Sequence, residues 1–365
     1  MKKKRVFFAF LIVVPQLVAL IIFELVFGGW LANKSWMATN RLNIIRNKTF
    51  RYNVNFTKRW TEDGAVDTVY TRDRWGLRST CPSSNKAEFI TLGGSTTDQK
   101  FISDGKTWQD VLQTLLRERT QSSSLCIANA GVDGHSTFGH IQSFDLWFPL
   151  IDNFKPKFFL LYLGINDAGF RFEEQVDYDN NNHMLMSAIE GNSALFRLWS
   201  FFQREDAKHN NKFAVHGIAI NKQLSLYSES SQSENSQQLI LKNVRGFERR
   251  LSIIMSKILS IKAIPICITQ PHALAWKFDG KLRGISEAFS YKDKVYNGID
   301  YDNSLNLING AMAKICKGAG GIVIDMKNKD FDLVDFYDYV HTNTHGAEKV
   351  GRYIYEEMVA QNIVK

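Results

Sequence analysis

From residue 87 onward, short apolar runs closed by glycine alternate with longer stretches whose apolar positions recur every three or four residues. Residues 87–92, 125–130, 157–163, 264–270 and 321–325 read as strands, four of them bounded by Gly93, Gly131, Gly164 and Pro271. Residues 107–116 place Trp108, Val111, Leu112, Leu115 and Leu116 on one helical stripe. Residues 239–262, 304–317 and 346–360 show the same period. These strands are too continuously apolar for a half-exposed sheet. Strand-helix alternation therefore predicts an α/β fold, a three-layer α/β/α sandwich around a parallel sheet with ligands at the carboxyl ends of its strands. The stretch 170–238 breaks the pattern with a polar run at 177–183 and a Ser/Gln/Glu-rich run at 228–237. It reads as an insertion over the strand ends, a lid or a partner site. No repeat of 20–50 residues is visible.

Before this domain, residues 28–85 are polar and mixed, and read as a stalk. Residues 6–27 form an apolar run broken only by Pro15, Gln16 and Glu24. At about 1.5 Å per residue they cover the ~30 Å hydrocarbon core of a bilayer. A signal peptide has a shorter apolar core and a small-x-small cleavage site. Here the run is longer, and bulky Trp30 would occupy the −3 position, which favours an uncleaved transmembrane anchor. Lys2, Lys3, Lys4 and Arg5 mark residues 1–5 as a cytoplasmic tail. The α/β domain, residues 86–365, is then expected outside the cytoplasm, in the periplasm or at the cell surface. Asn33, Asn47 and Asn55 open glycosylation sequons, which matter only in a eukaryotic secretory route.

Composition adds exclusions. With 44% apolar and 22% charged residues, the chain is neither disordered nor collagenous. Four of its cationic residues lie in the first five positions. Against Glu24 they make the first 30 residues +3, leaving +5 of the total +8, which gives no case for nucleic acid. Cys81, Cys126, Cys267 and Cys316 have neither the density of a disulfide framework nor a metal-binding spacing.

Four motifs carry chemistry. Gly93-Gly94-Ser95-Thr96-Thr97 follows the first strand, where small residues allow a sharp turn that presents a hydroxyl. Gly131, after the second strand, offers a bare backbone N–H, and Asn166 in Gly164-Ile165-Asn166-Asp167 offers a side-chain amide. Both suit a developing oxyanion; alone, the first also reads as tight packing and the second as a helix cap. Asp338-Tyr339-Val340-His341 places a carboxylate three residues before a histidine, which can hold one ring nitrogen and free the other as a base. His341 and His345 are spaced i, i+4, but the Thr-Asn-Thr between them is poor helix and no H-E-x-x-H frame accompanies them, so no metal site is implied.

In this order, the four blocks resemble the SGNH (GDSL-type) hydrolase superfamily over residues 73–354, the insertion excepted. Asp73-Arg74-Trp75-Gly76-Leu77-Arg78, Thr107-Trp108 and His341-Thr342-Asn343-Thr344-His345-Gly346 also look like bacterial members. The resemblance implies a flavodoxin-like sheet, Ser95 as nucleophile, His341 as general base and Asp338 orienting it. It implies an oxyanion hole of the Ser95 and Gly131 N–H groups and the Asn166 side chain, with no cofactor and no metal. The family's Gly-Asp-Ser is Gly93-Gly94-Ser95 here, a departure expected to alter loop packing rather than chemistry. The implied activity is a serine carboxylic-ester hydrolase that removes O-acetyl groups from glycans. Three alternatives stand beside it: a membrane-tethered polysaccharide O-acyltransferase, a lysophospholipase or thioesterase, and a silent binding module. The partners expected are an acylated glycan or lipid ester and, through residues 6–27, a membrane. Trp147, Phe148, Phe170 and Phe172 read as core or lid residues rather than a sugar platform.

Overall fold

The computed structural model describes residues 2–28, 42–55, 65–170 and 227–364, together with Trp36, Thr39, 193–196 and Leu198. The chain divides into two units, Met1–Asn43 with Val176–Val215, and Ile44–Gln175 with His216–Lys365.

The larger unit is built on a parallel sheet of β3 (Phe89–Gly93), β4 (Ile127–Asn129), β5 (Phe158–Tyr162), β6 (Ile264–Ile268) and, further along the chain, a last strand Ile322–Ile324. The last strand lies at one edge and β4 at the other, with β6, β5 and β3 between them in that order. Counted within the sheet this is the order 2-1-3-4-5 of flavodoxin-like sheets. The expectation of a parallel α/β sheet holds. Strand residues alternate between two buried faces, as period 2 requires. Phe89, Leu160, Ile266, Ile268 and Ile324 face a core shared with Trp108, Leu112 and Leu116 of α3 (Trp108–Thr120) and with Val350, Ile354 and Met358 of the last helix, Thr344–Ala360. The opposite face is covered by α6 (Ser236–Ser260), which buries Phe247, Leu251, Ile254 and Ile258, and by α7 (Gly298–Gly318), which buries Leu305, Ile308 and Met312. The short helices α2 (Ser95–Asp98), α4 (Thr137–Gln142) and α5 (Ile165–Ala168) follow β3, β4 and β5. The final strand and helix are β11 and α8. Helix starts are set by side-chain caps: Thr107 forms a capping box with Asp110 on α3, Asn297 one with Asp300 on α7, and Asn343 caps α8.

Three features differ from the sequence reading. The expected stalk contains an antiparallel hairpin, β1 (Lys48–Asn55) and β2 (Ala65–Arg72), paired from Lys48↔Arg72 to Asn55↔Ala65. Between β6 and α7 stand two more hairpins, β7 (Ala275–Phe278) with β8 (Lys281–Gly284) and β9 (Phe289–Tyr291) with β10 (Lys294–Tyr296). The cysteines form two disulfides, Cys81–Cys126 and Cys267–Cys316, with Cα atoms 5.9 and 6.4 Å apart. Their partners are 45 and 49 residues distant in sequence, so only folding brings them together.

The other unit contains α1 (Lys2–Phe27), a 26-residue helix with Pro15 inside it. Among the described residues no helix is long and apolar enough to cross a membrane. Most of the insertion lies outside the described residues. Of its described part, residues 193–195 belong with α1: the Glu24 carboxylate accepts from Ser193 Oγ at 2.6 Å and from the N–H groups of Ala194 and Leu195 at 3.0 and 2.9 Å. Val176–Val215 belongs to the same unit as Met1–Asn43. The end of the insertion joins the larger unit, where Tyr227 donates to the Ala273 carbonyl at 2.6 Å and Glu229 bridges Gly284.

Candidate active site

The carboxyl ends of the strands carry the site. β3 ends at Gly93, and the chain turns through Gly94 into α2, whose first residue is Ser95. Both glycines are required by close approach. A Cβ on Gly93 would lie 2.0 Å from Thr97 Oγ1, and one on Gly94 2.3 Å from Asn166 Nδ2 and 2.9 Å from the His135 carbonyl. An aspartate before the nucleophile has no room here, which accounts for the departure from Gly-Asp-Ser. As the first residue of a helix, Ser95 has an N–H with no intrahelical acceptor.

Ser95, His341 and Asp338 meet although 246 residues separate the first two. His341 Nε2 is 2.6 Å from Ser95 Oγ, and His341 Nδ1 is 2.7 Å from Asp338 Oδ2. The other carboxylate oxygen, Oδ1, accepts from the N–H groups of Val340 and His341 at 2.9 and 2.7 Å, fixing its rotamer. Burial pushes the Asp338 carboxyl up, but the His341 ring and these bonds outweigh it and hold it below the usual range. Burial alone lowers His341; Asp338 above all, then Asp133 and Asp98, raise it above an ordinary histidine. Tyr337 lies parallel to the imidazole, ring centroids 5.4 Å apart, and supports it from one face.

The oxyanion donors need one correction. Asn166 stands beside the nucleophile as expected: Nδ2 donates to the His135 carbonyl at 2.8 Å and lies against Gly94. Its backbone follows Gly164, whose φ of +112° only glycine adopts without strain. Gly131 is different. Its N–H is committed to Asn129 Oδ1 at 2.7 Å, so it is not an open donor. The same turn continues to Gly134, with φ +77° and open space at its Cβ position. Among the described residues nothing accepts the Gly134 N–H. The sequence reading chose the glycine that closes the strand, whereas the chain passes over Gly94 at His135, the residue after Gly134. A second glycine in a polar turn was the signal for it.

Around these groups the motifs take on roles. Asp167, buried, accepts from Thr137 Oγ1 at 2.5 Å and pairs with Arg250 of α6 at 3.1 Å, tying the Asn166 turn to a long helix. Thr96 donates to Gln270 at the end of β6, 3.1 Å away, a residue the sequence did not single out. Asp73 Oδ1 accepts from the N–H groups of Trp75 and Leu77, shaping the turn that delivers Arg78. His345 bonds Asp335 through Nδ1 at 2.7 Å, away from the partners of His341. Trp147, Phe148 and Phe170 are buried in the core, and Phe172 lies outside the described residues.

Residues 89–354 match the GDSL-like lipase/acylhydrolase family. Among curated proteins none matches the chain. Among solved structures, the α/β hydrolase LAE5 from the metagenome of Lake Arreo, Spain, is similar at 12% identity and a TM-score of 0.43, over 76% of this chain and 96% of its own. A catalytic mutant of Axe2, an acetylxylan esterase from Geobacillus stearothermophilus, is similar at 11% identity and a TM-score of 0.42, over 74% and 93%. With the match covering the whole sheet and every residue of the relay, the chain belongs to the GDSL-like lipase/acylhydrolase family and is a serine ester hydrolase.

Proposed function

We propose that the enzyme removes O-acyl groups, O-acetyl foremost, from glycans outside the cytoplasm, through an acyl-enzyme on Ser95. The observation that carries the chemistry is the continuous relay from Ser95 Oγ through His341 to Asp338, with heavy-atom separations of 2.6 and 2.7 Å. Ser95 Oγ attacks the ester carbonyl as His341 Nε2 takes its proton, and the carbonyl oxygen becomes an oxyanion facing Ser95 N–H, Asn166 Nδ2 and Gly134 N–H. The carbon–oxygen bond to the sugar breaks, and His341 returns the proton to the departing alkoxide. Water then gives a proton to His341 and adds to the acyl carbon, and Ser95 leaves with that proton, releasing the carboxylic acid. Each oxyanion donor is worth about 2.7–4 kcal/mol by comparison with a hydrolase that lost one. A sugar hydroxyl in place of water makes the same residues an O-acyltransferase.

A glycan is favoured by the aromatic row that runs from His341 through Tyr337 to Phe101 and Tyr52, with centroids 5.4, 6.2 and 5.7 Å apart. Phe101 and Tyr52 are half-buried, with Lys100 Nζ over both rings at 5.8 and 5.5 Å, and an aromatic row with a cation beside it suits a polar, hydroxyl-bearing ligand such as a sugar. An extracytoplasmic site is favoured by the two disulfides, which persist in oxidising compartments. A membrane anchor is favoured by α1, around which Val13, Leu17, Ile21, Leu25 and Val26 are exposed. In the sequence the apolar run, residues 6–27, has the length of a bilayer's hydrocarbon core.

The test is labelling of the full-length chain with a fluorophosphonate, followed by an ester panel of increasing acyl length. Wild type is expected to label and to prefer acetyl esters, and Ser95→Ala to fold and not label. Equal labelling of both proteins removes Ser95 as the nucleophile, and a preference for long acyl chains replaces the glycan by a lipid.

A further inference from the structure

The hairpin β1–β2 lies ahead of the hydrolase sheet in sequence, yet its last residue reaches the helix that carries the nucleophile. Arg72 is buried, with 3% of its surface exposed, and all five of its guanidinium N–H groups are used. Nε donates to Tyr70 Oη at 2.8 Å. Nη1 donates to the carbonyls of Gly76 and Asn129, each at 3.1 Å. Nη2 donates to the Gly131 carbonyl at 2.5 Å and pairs with Asp98, the last residue of the nucleophile helix α2. Tyr70 Oη in turn donates to Asp98 Oδ1 at 2.9 Å, so hairpin and helix are joined twice.

The two segments that Arg72 joins carry two of the three proposed oxyanion donors, the N–H groups of Ser95 and Gly134. Asp98 is three residues past Ser95, and Gly131 is three residues before Gly134. Asn129 adds a second tie, donating from Nδ2 to the Thr97 carbonyl at 2.6 Å. The hairpin is itself pinned to the loop after α2, since Val69 N–H donates to Ser103 Oγ at 3.1 Å and Val69 carbonyl accepts from Asp104 N–H at 2.8 Å. Removing a guanidinium and a carboxylate from water carries a large desolvation penalty. An apolar pair of the same volume would fill the space without it. What an apolar pair cannot do is direct five bonds to four segments at fixed angles.

We propose that Arg72 is a positioning residue of this hydrolase: it fixes helix α2, with Ser95, against the Gly131–Gly134 turn, so that the hairpin completes the oxyanion hole. This rests on the acyl-enzyme reading above. Arg72 touches no reacting atom, and its effect is on the alignment of donors that act in the transition state. Lysine keeps the charge but has three donors and no fork, so Arg72→Lys leaves the carbonyls of Asn129 and Gly131 unequally held.

The experiment uses the full-length chain as wild type, Arg72→Lys and Tyr70→Phe, the last keeping both charges and losing only the hydroxyl between them. Fluorophosphonate burst titration counts competent sites, and kcat and KM for an acetyl ester are expressed per titrated site. The expected result is a kcat per site about 10²-fold lower in Arg72→Lys, the scale of a misplacement near 1 Å, with KM little changed and phosphonylation slowed in parallel. Tyr70→Phe shifts kcat in the same direction by less. Wild-type kcat per site in Arg72→Lys, with the whole loss lying in the number of competent sites, shows a structural role only and overturns the proposal. Should Arg72→Lys not fold, an unchanged kcat in Tyr70→Phe overturns it. A wild-type chain that takes up no fluorophosphonate removes the acyl-enzyme reading and this proposal together, whereas labelled wild type with unchanged variants removes this proposal alone.

Discussion

His341 can accept the Ser95 proton only when neutral, and its surroundings set the pH at which it is. Burial favours the neutral ring, but the charge of Asp338 and its bond to Nδ1 favour the imidazolium and win, raising the pKa. kcat/KM therefore rises with pH through a limb placed above that of an ordinary histidine, near 6.5. Asp338→Asn deletes the largest raising influence. The limb is expected to move to lower pH, while kcat falls by about 10⁴ because the amide no longer holds the required tautomer; a pH–rate profile of the two proteins reads both effects. Asn166→Ala removes one oxyanion donor without disturbing the relay, and kcat is expected to fall by about 10²–10³ at unchanged KM, measured by steady-state kinetics. At this scale the sequence was informative where a residue type is tied to one task. Ser95, His341, Asp338 and Asn166 lie in motifs short enough to recognise. Gly131 was misassigned because an N–H is open only if no neighbour accepts it, and the neighbour here, Asn129, acts through a side chain whose rotamer the sequence does not state.

At the scale of elements, the core strands and helices follow the sequence because continuous apolar runs and 3.6-residue periods are local signals. The hairpins between β6 and α7 escaped because strands of three or four residues carry too few positions for alternation to show. The turn Asp279-Gly280, both residues at positive φ, was a legible mark of the first of them. The disulfides belong to this scale. Cys81–Cys126 ties the segment before β3 to the approach to β4, and Cys267–Cys316 ties β6 to α7. Closing loops of 45 and 49 residues stabilises the fold by about 4 kcal/mol each if the whole effect is lost chain entropy. Adding a thiol reductant is expected to lower the urea midpoint of the larger unit markedly, with both bonds contributing; chemical denaturation with and without reductant, and of Cys267→Ala with Cys316→Ala, measures this.

For the whole molecule, the arrangement in the cell decides which esters reach the site. A hydrolase held at a membrane with its site outside the cytoplasm is proposed from the basic tail, the apolar run at residues 6–27 and the two disulfides. A reporter fused after Lys365 that is active only when exported is expected to be active, and one that works only in the cytoplasm to be silent. The opposite pattern reverses the topology. Within its own unit, α1 holds residues 193–195 through the Glu24 carboxylate.

What the sequence determined by itself is the fold class, the strand ends that carry chemistry and the three residues of the relay. Each depends on residue type and on spacing within a few positions. Tertiary structure alone decided which cysteines pair, which glycine N–H is open, that no side chain fits at Gly94, and that Arg72 of a segment read as a stalk reaches the nucleophile helix. Three of these are contacts between segments 26 to 72 residues apart in sequence, settled by how the sheet and its loops pack rather than by any local pattern. The glycine N–H is local, two residues from Asn129, but it turns on a side-chain rotamer that residue type does not state.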